Sequence, residues 1–208
     1  MQEFWETSFL KNGEMWGFEP AESAIVAADI FIENGINDIL IPGIGYGRNA
    51  EIFFKNGLKV AGIEISETAI NLAKTHFGDT LKIYHGSVTD MPFDNHVYAG
   101  IFCYGLLYLL DSEEREKFLK DCWQQLEPGG IMIFSVISKN SPNYGLGKNV
   151  GKDRFELFEG AKIFFYGEES VRQEFGEYGI TNITEIDEPV KNMPNKPPFK
   201  FLLVICRR

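Results

Sequence analysis

Asp38-Ile39-Leu40-Ile41-Pro42-Gly43-Ile44-Gly45-Tyr46-Gly47-Arg48 is the stretch on which the fold turns. Asp38–Ile41 reads as a short buried strand, and Gly43, Gly45 and Gly47 follow it and open a helical pattern near Glu51–Asn56. Glycines tolerate positive φ and let a ligand approach bare backbone N–H groups, so such a turn binds a nucleotide-like ligand or is only a tight turn. The next apolar run, Lys59–Ile65, carries Glu64, 21 residues after Gly43. A carboxylate closing an apolar strand is costly without a partner, and in this place an acid accepts hydrogen bonds from a ribose. The alternative is an acid that caps the following helix beside Ser66. Dinucleotide folds want G-x-G-x-x-G, but here the third glycine comes one position early and Arg48 stands in its place. A compact GxGxG loop suits a ligand without a pyrophosphate and disfavours a nicotinamide oxidoreductase.

Outward from this unit, further buried strands are expected at Leu81–Tyr84, Ala99–Tyr104, Gly130–Ile137 and Phe199–Cys206. Helical spacing marks Ile65, Ala69, Ile70, Ala73 and Phe77 after a Ser66 N-cap. Asp111 and Glu114 have capping-box spacing ahead of Phe118, Leu119, Cys122 and Leu126, and Pro128-Gly129-Gly130 ends that helix. Helices are also expected from Ala21 to Asn34 and over Glu169–Tyr178. Alternating strands and helices imply right-handed crossovers and a largely parallel sheet, with ligands beyond the carboxyl ends of the strands. Ser138–Tyr166 reads as one long loop, a length that is usually functional.

Composition narrows the function. The 208 residues suit one domain over 1–208, with N-terminal helices over 1–35 and an insertion over 138–168. A net charge of −10 disfavours nucleic-acid and anionic-membrane partners, because phosphates reward clustered Lys and Arg. Cys103, Cys122 and Cys206 lack CxxC spacing, which suggests no metal site and points to reduced thiols in a cytoplasmic protein. The start carries acids and no long apolar run, so no signal peptide is expected, and no run reaches the roughly 18 apolar residues of a membrane span.

The ordered motifs resemble the class I S-adenosylmethionine (SAM)-dependent methyltransferases of small-molecule type. The match runs over roughly Ile36 to Ile137. The resemblance implies an α/β fold with a Rossmann-like, doubly wound, mostly parallel seven-stranded sheet and helices on both faces. It implies SAM as cofactor, with Gly43, Gly45 and Gly47 on the methionine part, Glu64 on both ribose hydroxyls and Ile65 against the adenine. It assigns residues 1–35 the role of lid and 138–168 that of substrate cover. His85-Gly86-Ser87-Val88-Thr89-Asp90-Met91-Pro92-Phe93 is similar to the family's adenine-contacting segment, with Ser87 where an acid is usual and Val88 beside it. A hydroxyl accepts that hydrogen bond more weakly than a carboxylate. Cys103–Leu110 resembles the loop beside the sulfonium, with Tyr104 at its start, and Leu126–Gly130 matches an L-x-P-G-G turn.

Two departures stand out. Ile41 occupies the place of the family's first-strand acid, so the cofactor ammonium is expected to find other acceptors, at the Gly43 carbonyl or the loop after Tyr104. Pro42-Gly43 resembles thiol and thiopurine methyltransferases, which also carry an N-terminal Trp over the cofactor; Trp16 is the counterpart here, as a lid or as simple packing.

The resemblance implies methyl transfer from SAM to an oxygen, nitrogen or sulfur of a small molecule. The alternative is a non-catalytic SAM- or partner-binding protein on the same fold. Alignment and exclusion of water carry most of such a reaction, and a base is needed only for a protonated acceptor. His85, Asp90, Tyr104, Tyr108 and Tyr144 are possible bases that sequence does not rank. Phe4, Trp5, Trp16, Phe18, Tyr144, Phe155, Phe158, Phe164, Phe165 and Tyr166 suit a partly apolar acceptor or pack the cover onto the sheet. The Asn/Asp-Pro-Pro-aromatic signature of amino-methylating DNA enzymes is absent after Cys103, which again disfavours nucleic acid.

Overall fold

The computed structural model describes residues 2–158, 160–190 and 195–208, without the side chain of Phe158. The glycine stretch opens a doubly wound unit: β1 (Asp38–Pro42), α3 (Ala50–Lys55), β2 (Lys59–Glu64), α4 (Glu67–Phe77), β3 (Lys82–His85), β4 (Tyr98–Tyr104), α5 (Ser112–Gln125) and β5 (Leu126–Ile137). Two helices precede it, α1 (Gln2–Asn12) and α2 (Glu22–Glu33). After it come β6 (Lys148–Gly151), β7 (Arg154–Phe158), β8 (Ala161–Phe164), α6 (Glu168–Phe175), β9 (Ile180–Glu188) and β10 (Phe199–Arg207). The main sheet runs β3-β2-β1-β4-β5-β10-β9, with β1 through β5 parallel and β10 antiparallel to both neighbours. This is the seven-stranded, mostly parallel α/β sheet expected from the sequence.

Strand alternation sorts the core into two layers. Ile39, Ile41, Val60 and Phe102 pack against Ala24, Ala28 and Phe31 of α2, Phe53 of α3 and Ala73 of α4. Leu40, Ile63, Ile101 and Cys103 pack on the opposite face with Phe118 and Cys122 of α5 and Val171 and Phe175 of α6. Helix ends follow the expected chemistry: Ser66 Oγ accepts from Ala69 N, and Asp111 and Glu114 form a reciprocal capping box. The N-cap of α2 is Ala21, which offers no side-chain acceptor. Glu188 at the end of β9 supplies one, taking Glu22 N at 3.0 Å and Ser23 N at 2.8 Å.

Three segments differ from the sequence reading. Ser138–Tyr166 is not a bare loop: it contains the antiparallel sheet β6-β7-β8. Short strands with turn residues between them hid it. β9 lies outside the expected strands because it is an edge strand with mostly exposed Thr, Asn, Glu and Asp, so it lacks an apolar run. The Leu126–Gly130 turn is absorbed into β5 as a bulge, with Tyr98 paired to Leu126 and Gly100 to Ile131.

Candidate functional site

The sheet order reverses between β1 and β4, which places the glycine loop and the loop after Tyr104 side by side at the switch point. Gly43 N and Ile44 N both donate to Ile63 O, at 2.8 and 3.1 Å, tying the loop to β2. Gly43 has φ of +69°, and a Cβ there would stand 2.9 Å from Leu106 Cδ2. The two loops therefore touch at a point that only glycine permits.

Glu64 joins the loop to the next turn. The residue is 6% exposed; Oε2 accepts from Gly45 N at 2.8 Å, and Oε1 accepts from Ile65 N and Ser66 N, each at 2.9 Å. Burial pushes its pKa above the ordinary carboxylate value, against the pull of these three donors. The helix cap is Ser66, so the capping alternative for Glu64 does not describe its geometry. Three donors leave one lone pair of a carboxylate's four, on Oε2, for a ligand hydroxyl. Ile65, half-buried, follows directly.

Across β3, Ser87 Oγ caps a short turn, accepting from Thr89 N at 3.2 Å and lying 2.7 Å from Thr89 Oγ1. Val88 is buried beside it. Glu64, Ile65, Ser87 and Val88 thus occupy adjacent strand ends, since Glu64 and His85 are paired residues of β2 and β3.

A cover lies over the loop. Glu6 of α1 accepts from Ser66 Oγ at 2.7 Å and Thr68 Oγ1 at 2.5 Å. Phe9 meets Tyr46 edge-on at 6.1 Å, and Trp16 stacks on Tyr46 at 6.3 Å with a 12° interplanar angle. Trp16 remains 44% exposed and so is not a core residue. Tyr46 Oη donates to Gly17 O at 2.7 Å, and Arg48 Nη1 to Trp16 O at 3.2 Å.

On the β4 side, Tyr104 stacks on Phe201 at 5.6 Å, and Tyr108 lies against the same ring at 6.1 Å. Burial, and then the nearby Glu188 charge, push the Tyr104 phenol far up; burial does the same to Tyr108. Both shifts favour the protonated phenol. His85 is exposed at the end of β3, three strand spacings or about 14 Å from β4, and Asp90 is exposed in the turn that follows β3. Tyr144 donates to Asp153 at 2.8 Å within the insertion. Phe155 and Phe165 are 9% and 0% exposed and pack with Leu109, Ile137 and Phe201, so these rings fix the segment to the sheet. Half-buried Trp5, Tyr108 and Leu157 border that cluster. Glu188 and Arg48 were not singled out from sequence; Glu188 sits on a polar edge strand, and Arg48 was read only as a breach of glycine spacing.

Comparison with known proteins bears on the family and the fold. Residues 40–134 match the methyltransferase domain family. The chain is 29% identical over 109 residues to a ubiquinone biosynthesis O-methyltransferase of Coxiella burnetii, covering 51% of this chain and 46% of that one. It is 27% identical over 111 residues to the protein of the same name from Nitrosospira multiformis, covering 51% and 46%. The chain thus spans about half the length of these curated relatives. Among solved structures, the 1,6-didemethyltoxoflavin-N1-methyltransferase of Burkholderia thailandensis superposes with a TM-score of 0.76 at 15% identity, over 100% of this chain and 86% of that one. A SAM-dependent methyltransferase of Clostridium acetobutylicum gives 0.65 at 17% identity, over 88% and 89%. The class I SAM-dependent methyltransferase resemblance therefore stands on motif order, on the domain match and on the fold.

Proposed function

We propose that this protein is an enzyme that binds SAM and moves its methyl group to an oxygen, nitrogen or sulfur atom of a small molecule. The observation that carries the reading is the Glu64 carboxylate, buried at the end of β2 and held by Gly45, Ile65 and Ser66 N–H groups with acceptor capacity to spare. A ribose hydroxyl fits the one free lone pair on Oε2. Glu64 would hold the ribose, Ile65 and Val88 the adenine faces, and Ser87 the adenine edge. Gly43, Gly45, Gly47 and Tyr104 would flank the amino-acid end, with Trp16 above.

The cofactor would supply an electrophilic methyl on a sulfonium sulfur. This chain's residues then have three tasks. The loop contact of Gly43 with Leu106 fixes the floor. The cover made by Glu6, Phe9 and Trp16 keeps water out. The protonated phenols of Tyr104 and Tyr108 orient an acceptor by hydrogen bonding. An acceptor nucleophilic at neutral pH needs no base.

Several features support the wider reading of a single domain over 1–208, with 1–35 as lid and 138–168 as substrate cover. The curated relatives methylate in ubiquinone biosynthesis by name, which supports a small acceptor. The charge of −10 supports no nucleic-acid partner. Cys103, Cys122 and Cys206 are free and buried, which supports a cytoplasmic setting. Among the described residues no helix is long and apolar enough to cross a membrane.

The test is incubation with methyl-labelled SAM and a panel of phenols, amines and thiols. Labelled product that disappears in Glu64→Ala supports the proposal. Tight cofactor binding without label transfer to any class would favour the non-catalytic alternative.

A further inference from the structure

Arg48 has a placement that the cofactor reading leaves unused. It follows Gly47, is half-buried, and spans from the N-terminal cover to the end of β4. Its guanidinium donates to Trp16 O at 3.2 Å and lies 5.7 Å above the Tyr104 ring centroid. Both neighbours flank the amino-acid end of the proposed cofactor site.

The chain carries 30 acidic against 20 basic side chains, and two of its other arginines pair with acids, Arg115 with Glu174 at 2.8 Å and Arg172 with Glu168 at 2.6 Å, while Arg207 donates to Asn34 Oδ1 and Arg208 to backbone carbonyls. Among the described residues no ion pair joins Arg48 to an acid. Glu188, whose charge is felt by Tyr104, is already committed to α2: Glu22 N, Ser23 N and Ser23 Oγ occupy it at 3.0, 2.8 and 2.5 Å.

A guanidinium offers five N–H donors in a planar fork that matches a carboxylate two at a time. The Trp16 carbonyl takes one, and the Tyr104 contact is with the ring, which leaves enough for a bidentate pair. The contacts with Trp16 and Tyr104 also restrain the fork in advance, so less rotamer freedom is lost on binding.

Resting on the cofactor reading, we propose that Arg48 is a carboxylate receptor at the open end of the site. Its ligand is either the α-carboxylate of the cofactor or an acid group on the acceptor. The competing role is that of a strut, in which Arg48 only holds Trp16 in place.

Calorimetric titration separates these roles. The probes are S-adenosylhomocysteine, its decarboxylated analogue S-adenosyl-3-thiopropylamine, and benzoate added to the S-adenosylhomocysteine complex. Each is titrated into wild type, Arg48→Met and Arg48→Lys, with Tm recorded for all three. If the cofactor is the source, wild type prefers S-adenosylhomocysteine over the decarboxylated analogue by about ten- to a hundredfold. Arg48→Met then erases that preference, and Arg48→Lys keeps part of it. If the acceptor is the source, the two nucleosides bind alike in every protein, and benzoate binds the wild-type complex but not the Arg48→Met complex. The receptor is overturned if Arg48→Met weakens both nucleosides equally, as a strut would. It is also overturned if the variant leaves the preference and benzoate binding as in wild type. Absence of nucleoside binding by wild type is a separate result that defeats the cofactor reading and this proposal with it.

Discussion

Replacing Glu64 by Gln keeps the side chain's shape and removes half of its acceptor capacity. The carboxylate receives Gly45 N on Oε2 and Ile65 N and Ser66 N on Oε1. An amide has one oxygen, so its better orientation keeps Ile65 and Ser66 and turns an NH2 toward the Gly45 N–H. That leaves one buried donor unsatisfied and two donors facing each other, at a cost of about 1–3 kcal/mol. Loss of a carboxylate that burial already disfavours offsets part of this. For a chain of this size the net change corresponds to a Tm lower by about 2–8 °C. Binding changes more, because the spare Oε2 lone pair that would meet the ribose is gone. A charged hydrogen bond contributes about 1.5–3 kcal/mol, so S-adenosylhomocysteine is expected to bind at least about tenfold more weakly. The assay is calorimetry on Glu64→Gln, with 5′-methylthioadenosine beside S-adenosylhomocysteine. Both contain the ribose, so both should weaken by the same factor. Affinities within threefold of wild type in a folded variant would refute the argument. So would a loss confined to S-adenosylhomocysteine, which would move Glu64 to the amino-acid end.

Three further outcomes are expected. Ribose hydroxyls favour the ionised Glu64, so binding should lower its raised pKa, release protons and strengthen as pH rises through the carboxylate range; titration in buffers of different ionisation enthalpy measures this, and proton uptake would contradict it. In the free protein the sign is opposite: a raised folded pKa contributes stability below the unfolded value that is lost as pH rises through the folded one. Gly47 has φ of +84°, and a Cβ would stand 2.6 Å from Phe77 Cε2, so Gly47→Ala should cost about 1–3 kcal/mol and lower Tm by several degrees; an unchanged Tm would contradict it. Glu188→Ala removes the acceptor for Glu22 N and Ser23 N at a helix whose own N-cap is Ala21, and chemical denaturation should show a loss of about 1–2 kcal/mol while S-adenosylhomocysteine affinity holds.

The half of the chain with chemistry at fixed spacing was legible in sequence. Gly43 and Glu64 could be placed because a glycine loop and a strand-ending acid have few other uses, and their contact through Gly45 N follows from parallel pairing of β1 with β2. Ser66 and Asp111 were legible because capping is local. β9 and the β6–β8 sheet were not, since an edge strand and a short meander bury too little to leave an apolar pattern. Trp16 on Tyr46, Arg48 on Tyr104 and Glu188 on α2 depend on contacts from 30 to 166 residues apart, for which no local pattern exists.

Calorimetric titration of the wild-type protein with S-adenosylhomocysteine, with NAD in parallel, addresses the central claim most directly. Micromolar binding of S-adenosylhomocysteine with none of NAD is the expected result. A folded protein that ignores S-adenosylhomocysteine, or that takes NAD in its place, would contradict the account.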